Sequence, residues 1–220
     1  MTDAPLAVAV FASGGGTNFQ ALLDHRPDPA TWRVALLVSN REAGAVERAR
    51  VAGVPAVVIP TKDRAQDEVA RDTLDALALH GISVILLAGY LRLLPPDVVR
   101  RYSGRILNIH PALLPDFGGK GMFGMHVHRA VVESGVPVTG ASVHFVDEEY
   151  DRGAVFAQAR VPVRSGDTPE DVAARVLGVE HELYPRAVDH FCAAVRDGRA
   201  AEPLGLIQIE GPHATSEEKR

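Results

Sequence analysis

Seven consecutive apolar residues, Leu6–Ala12, are followed after Ser13 by three glycines, Gly14–Gly16, and then by a helix-forming stretch from Asn18 to His25. An unbroken apolar run of that length does not alternate, so neither face of the strand can be meant for water. Such strands lie in parallel sheets with helices packed on both sides. The chain is thereby committed to a strand–turn–helix start, and the pattern recurs. Val34–Ser39 reads as a second buried strand before a helical stretch from Ala43 to Ala52. Val57–Ile59 makes a third, followed by a helix over Arg64–His80 whose apolar positions are Val69, Leu74, Leu77 and Leu79. Val84–Ala88 and Ile106–Ile109 supply two more strands. Strands alternating with helices predict an α/β, Rossmann-like fold with a mostly parallel central sheet.

The second half is patterned differently. Val138–Val146 and Val155–Val163 alternate more openly around a short acidic turn, with Val155, Ala157, Ala159, Val161 and Val163 on one face. That predicts an antiparallel extension of the sheet. Thr168, Pro169, Glu170 and Asp171 then place a hydroxyl cap, a first-turn proline and acids at the positive end of a helix dipole. Val172, Val176, Val179, Leu183, Ala187 and Phe191 keep helical spacing from there, and a kink is expected at Pro185. The expectation is one domain over residues 1–210, with 211–220 a flexible tail.

Composition narrows the partners. A net charge of −5 speaks against nucleic acid, which is met by a basic excess. Cys192 is the single cysteine, so no internal disulfide calls for an oxidising compartment. The opening apolar run has no basic residues before it and is too short for a signal peptide or a membrane span. A cytoplasmic protein that binds small molecules, as a monomer or homodimer, is expected.

Three places could carry chemistry. Ser13-Gly14-Gly15-Gly16-Thr17-Asn18 joins a buried strand to a helix, so its amides and the helix dipole could cradle a phosphate. The spacing matches neither the dinucleotide fingerprint nor the P-loop, and a tight turn with no ligand is the alternative. Asn108-Ile109-His110-Pro111 sits at the end of a central strand, the edge where open α/β sheets bind ligands. Alternation points Asn108 and His110 to the same side. There an amide donor could hold a developing oxyanion while an imidazole supplies a proton; a structural histidine beside a capping asparagine would look the same. The acidic turn Asp147-Glu148-Glu149-Tyr150-Asp151 could provide a carboxylate to accept a proton, although most such runs are solvated hairpin turns. His110, His126, His128 and His144 invite a metal reading, but His126-Val127-His128 lacks the i, i+4 spacing of zinc hydrolases. No metal is expected.

Taken in order, SGGGTNFQALL, LLAGYLRLLP at 86–95, NIHPALLP at 108–115 and TGASVHFVDEEYDRG at 139–153 resemble the glycinamide ribonucleotide transformylases, from about residue 6 to about 196. The resemblance implies transfer of a formyl group from 10-formyltetrahydrofolate to the amine of glycinamide ribonucleotide, a step of de novo purine synthesis. It implies Asn108, His110 and Asp151 as the catalytic trio, Asp151 being the acid before the Gly153 turn. Gly14, Gly15, Gly16, Thr17 and Asn18 would hold the ribonucleotide phosphate, and Glu180 would contact the same substrate. Arg92, Leu93, Leu94, Val99 and, more loosely, Arg64 would line the folate pocket, with His126 and His144 in supporting places. Residues up to about 107 would form the phosphate-binding half, and about 108–196 the catalytic and folate-binding half.

Three departures from the family pattern stand out. Phe117–Gly124 lengthens the stretch before His126 and is rich in glycine, which suits either a lid or a tolerated surface insertion. Arg152 follows the acid where a small residue is usual. Leu177, one turn before Glu180, offers the phosphate no polar group. Among rivals, a formyltetrahydrofolate hydrolase would be expected to carry a further domain before this one, and tRNA or sugar formyltransferases one after it. A noncatalytic nucleotide-binding module would need neither the Asn/His pair nor the acid.

Overall fold

The computed structural model describes residues 4–26 and 28–209, so the tail expected at 211–220 lies outside the described residues. The elements are β1 (Leu6–Phe11), α1 (Thr17–Asp24), β2 (Trp32–Ser39), α2 (Gly44–Val51), β3 (Ala56–Val58), α3 (Gln66–Leu79) and β4 (Val84–Leu87). They continue with α4 (Pro96–Arg101), β5 (Ile106–His110), α5 (Met125–Ser134), β6 (Val138–Phe145), β7 (Val155–Pro162), α6 (Pro169–Arg196) and β8 (Gly205–Leu206). Among the described residues eight strands join one sheet in the order β3-β2-β1-β4-β5-β6-β7-β8. β3 through β5 are parallel, β5-β6-β7 antiparallel, and β8 parallel to β7. The parallel core and antiparallel extension are those the apolar patterning predicts.

Both faces of the parallel strands are buried, as their unbroken apolar runs require. Val8 and Val10 pack into a core with α1 and α6, while Ala9 and Phe11 pack on the opposite side with α3 and α4. Two features depart from the expected pattern. Leu79, expected on the apolar face of α3, is 83% exposed. The buried face is formed by Val69, Ala70, Thr73 and Leu77, and Leu79 lies two residues, about 200° of helical rotation, beyond Leu77. On β7, Phe156 is buried as well as its neighbours Ala157, Ala159 and Val161, because it packs against Phe145 on β6 and Phe191 on α6. α4, α5 and β8 are not evident in the sequence pattern; α5 follows a glycine-rich stretch that obscures its start and ends at Gly135 in the left-handed conformation.

α6 is the longest element and the brace of the site. Thr168 and Asp171 form a reciprocal capping box, and Pro185 lies within the helix without ending it. All six residues expected on its apolar face are buried. From it Tyr184 reaches into the sheet, and its buried hydroxyl lies 3.0 Å from both Leu87 O and Leu107 O. Those carbonyls belong to the paired strands β4 and β5, one residue before Asn108 in the case of Leu107, so the hydroxyl ties α6 to the middle of the sheet. Replacing Tyr184 with Phe leaves two buried acceptors without that donor. Urea denaturation should show a loss of about 1–2 kcal/mol, and unchanged stability would mean the hydroxyl is not what ties the helix to the sheet.

Candidate active site

The site grows from the switch in strand order. β1 has β2 on one side and β4 on the other, so the loops leaving β1 and β4 diverge over the carboxyl edge of the sheet and leave a crevice. Ser13 holds the two loops together: its N–H donates to Gly89 O at 3.0 Å and its Oγ accepts from the Leu91 N–H at 3.0 Å. A cavity of about 550 Å³ opens there and is lined by Asn18, Arg92, Asn108, His110, Asp151 and Glu180 among others.

β5 presents Asn108 and His110, two residues apart, to this cavity, as strand alternation predicts. The antiparallel register sets their neighbours, pairing Asn108 with His144 and His110 with Ser142 on β6. His144 donates from Nδ1 to Phe145 O at 2.8 Å, and its Nε2 lies 2.9 Å from the Asn108 amide nitrogen. Ser142 Oγ donates to Ala112 O and accepts from the Leu114 N–H and Gln158 Nε2, pinning the turn that leaves His110. Sequence reasoning did not single out Ser142 or Gln158; their sign would have been two polar residues at inward positions of otherwise apolar strands.

The acid enters from the turn between β6 and β7. Gly153 lets the turn press against the sheet, since a Cβ there would lie 1.9 Å from Phe145 O. Asp151 adopts a positive φ of 54°, and its Oδ2 accepts from the Gly119 N–H at 2.9 Å. Oδ2 is also 3.7 Å from His110 Nδ1, and Oδ1 is 3.5 Å from His144 Nε2. Burial pushes the Asp151 carboxyl up, but the two imidazoles and the Gly119 amide outweigh it, so its pKa lies below the usual carboxylate value. Burial pulls His110 below the usual histidine value, against the raising effect of Asp151 and of Phe117 O, which accepts from His110 Nε2 at 2.9 Å. The result is an ionised acid beside a buried imidazole with one nitrogen facing it. Such a pair can shuttle a proton, and Asn108 beside it can donate to an oxyanion.

The glycine loop sits at the other end. Gly16 is left-handed with a φ of 75°, and a Cβ there would lie 2.8 Å from Ala45, so α2 packs directly on the loop. Arg41 and Arg48 brace it by donating to Ser13 O and Gly15 O, both at 2.8 Å. No side chain caps the first turn of α1, which leaves its amides available to an anion. Of Gly14, Gly15, Gly16, Thr17 and Asn18, only Asn18 lines the cavity itself; its Nδ2 donates to Glu180 Oε2 at 2.9 Å. Glu180 on α6 is buried, with no ion pair among the described residues, and burial lifts its pKa to about 7 despite the Asn18 hydrogen bond.

The expected folate residues divide. Arg92 lines the cavity, whereas Leu93 is exposed outside it, and Leu94 and Val99 are packed in the core beneath. Arg64 is held away by Asp72 at 2.7 Å. Tyr90, Leu91, Phe123 and Tyr150 supply the apolar part of the lining instead. Of the histidines on α5, His126 is exposed and stacks edge-on with Phe123 outside the lining, while buried His128 faces the cavity. The helix turns the two by about 200°, which His126-Val127-His128 alone does not reveal. The Phe117–Gly124 insertion is a wall of the cavity, contributing Gly119 through Gly124. Among the described residues no group of three or more His, Cys, Asp and Glu is placed to hold a metal ion, and no helix is long and apolar enough to cross a membrane.

Comparison with known proteins meets this geometry. The formyl transferase family model matches residues 6–188. Phosphoribosylglycinamide formyltransferase of Escherichia coli (strain K12) is 37% identical over 215 residues, covering 92% of this chain and 99% of that protein. The chain belongs to the phosphoribosylglycinamide formyltransferase family. The chloroplastic member from Arabidopsis thaliana is 46% identical over 189 residues, covering 84% of this chain. This chain spans 65% of that plant protein's length. The crystal structure of glycinamide ribonucleotide transformylase 1 from Symbiobacterium toebii superposes with a TM-score of 0.80 at 38% identity, covering 87% of this chain and 90% of that one.

Within this family member, Glu180 makes a test of the site's electrostatics. Its folded pKa of about 7 exceeds the unfolded value of 4.5, so its favourable contribution is complete below about pH 4.5 and is lost as pH rises through 7. Glu180→Gln should therefore stabilise the ligand-free protein at pH 8 by on the order of 1–3 kcal/mol, with the gain shrinking towards pH 5. A gain that does not depend on pH would show that Glu180 does not titrate in that range.

Proposed function

We propose that this chain transfers the formyl group of 10-formyltetrahydrofolate to the amine of glycinamide ribonucleotide, giving formylglycinamide ribonucleotide and tetrahydrofolate for de novo purine synthesis. The observation that carries this reading is the convergence of Asn108, His110 and Asp151 in one cavity that extends to Asn18 and Glu180 beside the glycine loop. The name of the Escherichia coli relative supports formyl transfer to phosphoribosylglycinamide, and the reach of the cavity from His110 to Asn18 supports room for two substrates. We assign residues up to about 107 to holding the phosphate, and about 108–196 to catalysis and folate binding, within one domain. A cytoplasmic setting goes with this reading, since the single buried thiol of Cys192 calls for no oxidising compartment.

In this mechanism the ribonucleotide amine attacks the formyl carbon, forming a tetrahedral intermediate with a negative oxygen. Asn108 Nδ2 and protonated His110 Nε2 donate to that oxygen. Phe117 O now takes the bond from His110 Nε2, and the oxyanion would replace it. Burial disfavours the charged imidazole in the empty site; a developing anion and Asp151 together favour it. The amine must lose a proton, and the folate N10 must gain one as the C–N10 bond breaks. Asp151, ionised at neutral pH, accepts the first through water and returns it to N10. His144 holds Asn108 and faces Asp151, so it is a positioning residue; exposed His126 has no comparable place. Gly14–Asn18 receive the phosphate on the free amides of α1, and Glu180 contacts the same substrate. Arg92 serves the folate end, with Leu94 and Val99 shaping that wall from behind; Leu93 and Arg64 take no part in the present arrangement.

A donor to an oxyanion contributes about 3–4 kcal/mol where such groups have been removed. His110→Ala and Asp151→Asn should each lower kcat for ribonucleotide formylation at least about a hundredfold, read from the rate of deformylated folate appearing. Near-normal turnover in either variant contradicts the assignment.

A further inference from the structure

Among the described residues three histidines are buried, His110, His128 and His144, and two of them have their partners. His110 meets Phe117 O through Nε2 and turns Nδ1 towards Asp151, while His144 meets Phe145 O and lies against the Asn108 amide. His128, on α5, is 6% exposed and lines the cavity. Its Nδ1 is buried with no hydrogen-bond partner among the described residues. A histidine kept in a core for the sake of the fold has its polar atoms met, because a buried polar group without a partner is costly.

Burial, with His110 adding to it, holds the His128 imidazole below the usual histidine value, so the ring is neutral at pH 7. A neutral imidazole carries one proton, on whichever nitrogen can least go without. An unmet N–H inside a protein is rarer than an unmet acceptor. Nδ1 is therefore the bare nitrogen, and the proton sits on Nε2 at the tip of the ring. His128 thus offers the cavity an uncharged N–H donor.

The layer that carries this donor decides which substrate it meets. Val127 and Val131 share the buried face of α5 with His128, and they pack in one core with Phe19 of α1 and Val179 of α6. Asn18 and Glu180 reach the cavity from those same two helices, whereas Tyr90 packs with the core on the opposite side of the sheet. His128 is also close enough to His110 for each to oppose the other's charge. It stands on the ribonucleotide's side of the cavity, at the reacting end. In that substrate the uncharged acceptor nearest the attacking amine is the glycinamide carbonyl, two bonds away. The ribose hydroxyls lie further along, towards Glu180.

We propose that His128 Nε2 donates to the glycinamide carbonyl oxygen of the bound ribonucleotide, so that the acceptor is recognised by the amide next to its reacting amine. This rests on the transferase reading above. The contact holds the substrate and not the developing oxyanion, so it is made equally before and during attack and weighs on KM.

Wild type, His128→Leu and His128→Gln are compared; Leu removes the donor at similar bulk, and Gln keeps an N–H at similar reach. His128→Leu should raise KM for glycinamide ribonucleotide about tenfold, the net size of one hydrogen bond, with kcat and the 10-formyltetrahydrofolate KM unchanged. His128→Gln should recover most of it. Isotope-edited infrared spectra of the bound ribonucleotide, labelled at the glycinamide carbonyl, should show its stretch at higher frequency in His128→Leu and back near the wild-type position in His128→Gln. An unchanged ribonucleotide KM, an unmoved carbonyl stretch, or a loss confined to the folate KM would each overturn the proposal. A purely structural histidine would instead show as a lower melting temperature of ligand-free His128→Leu with the stretch unmoved. Wild-type turnover reports separately on the transferase reading. Should it be absent, calorimetric titration of the ribonucleotide still decides on His128: a Kd about tenfold weaker in His128→Leu upholds the contact, and an equal Kd, or no binding by the wild type, overturns it.

Discussion

An ionised carboxylate with little exposure needs partners, and Asp151 has them from three separate parts of the chain: His110 on β5, His144 on β6 and the Gly119 amide in the insertion. Removing a charge from water is costly unless its lone pairs are met, so this contact constrains everything around it. It requires β5 and β6 to pair in the one register that sets Asn108 opposite His144. It requires Gly153, where a side chain would strike Phe145 O. It also draws the insertion across the mouth of the crevice, which makes a wall out of what could have been a surface loop.

The parallel half of the fold was legible because burial on both faces leaves a mark that local sequence cannot hide: continuous apolar runs at Leu6–Ala12, Val34–Ser39 and Val84–Ala88, each followed by a turn. α6 was equally legible, since its cap and its apolar face agree. α5 was not, because its signal is short and is preceded by glycines that read as loop. Leu79 shows the complementary failure. An apolar residue near a helix end was counted with the buried face although helical rotation carries it away.

At the site, residue-level reasoning reached as far as Asn108 and His110, because their position at a strand end and their spacing are local facts. It could not choose among the acids of 147–151, since the choice depends on a left-handed backbone at Asp151 and on an amide thirty-two positions away in sequence. The resemblance made that choice. His128 and His126 were separable only once α5 was known to be a helix. The wall proposed for folate was least legible: Leu94 and Val99 are core residues outside the lining, and the aromatic lining from Phe123 and Tyr150 arrives from loops with no periodic signal. Among the described residues, then, the Asn108 and His110 corner of the cavity was readable from one strand and its surroundings were not.

The account stands or falls on whether the cavity uses its oxyanion donors and carboxylate to move a formyl group onto an amine rather than onto water. The direct measurement is the absorbance change of 10-formyl-5,8-dideazafolate mixed with purified protein, with and without glycinamide ribonucleotide. Deformylation that requires the ribonucleotide is the predicted result. Deformylation at the same rate without it would make water the acceptor and contradict the account, as would no reaction in either mixture.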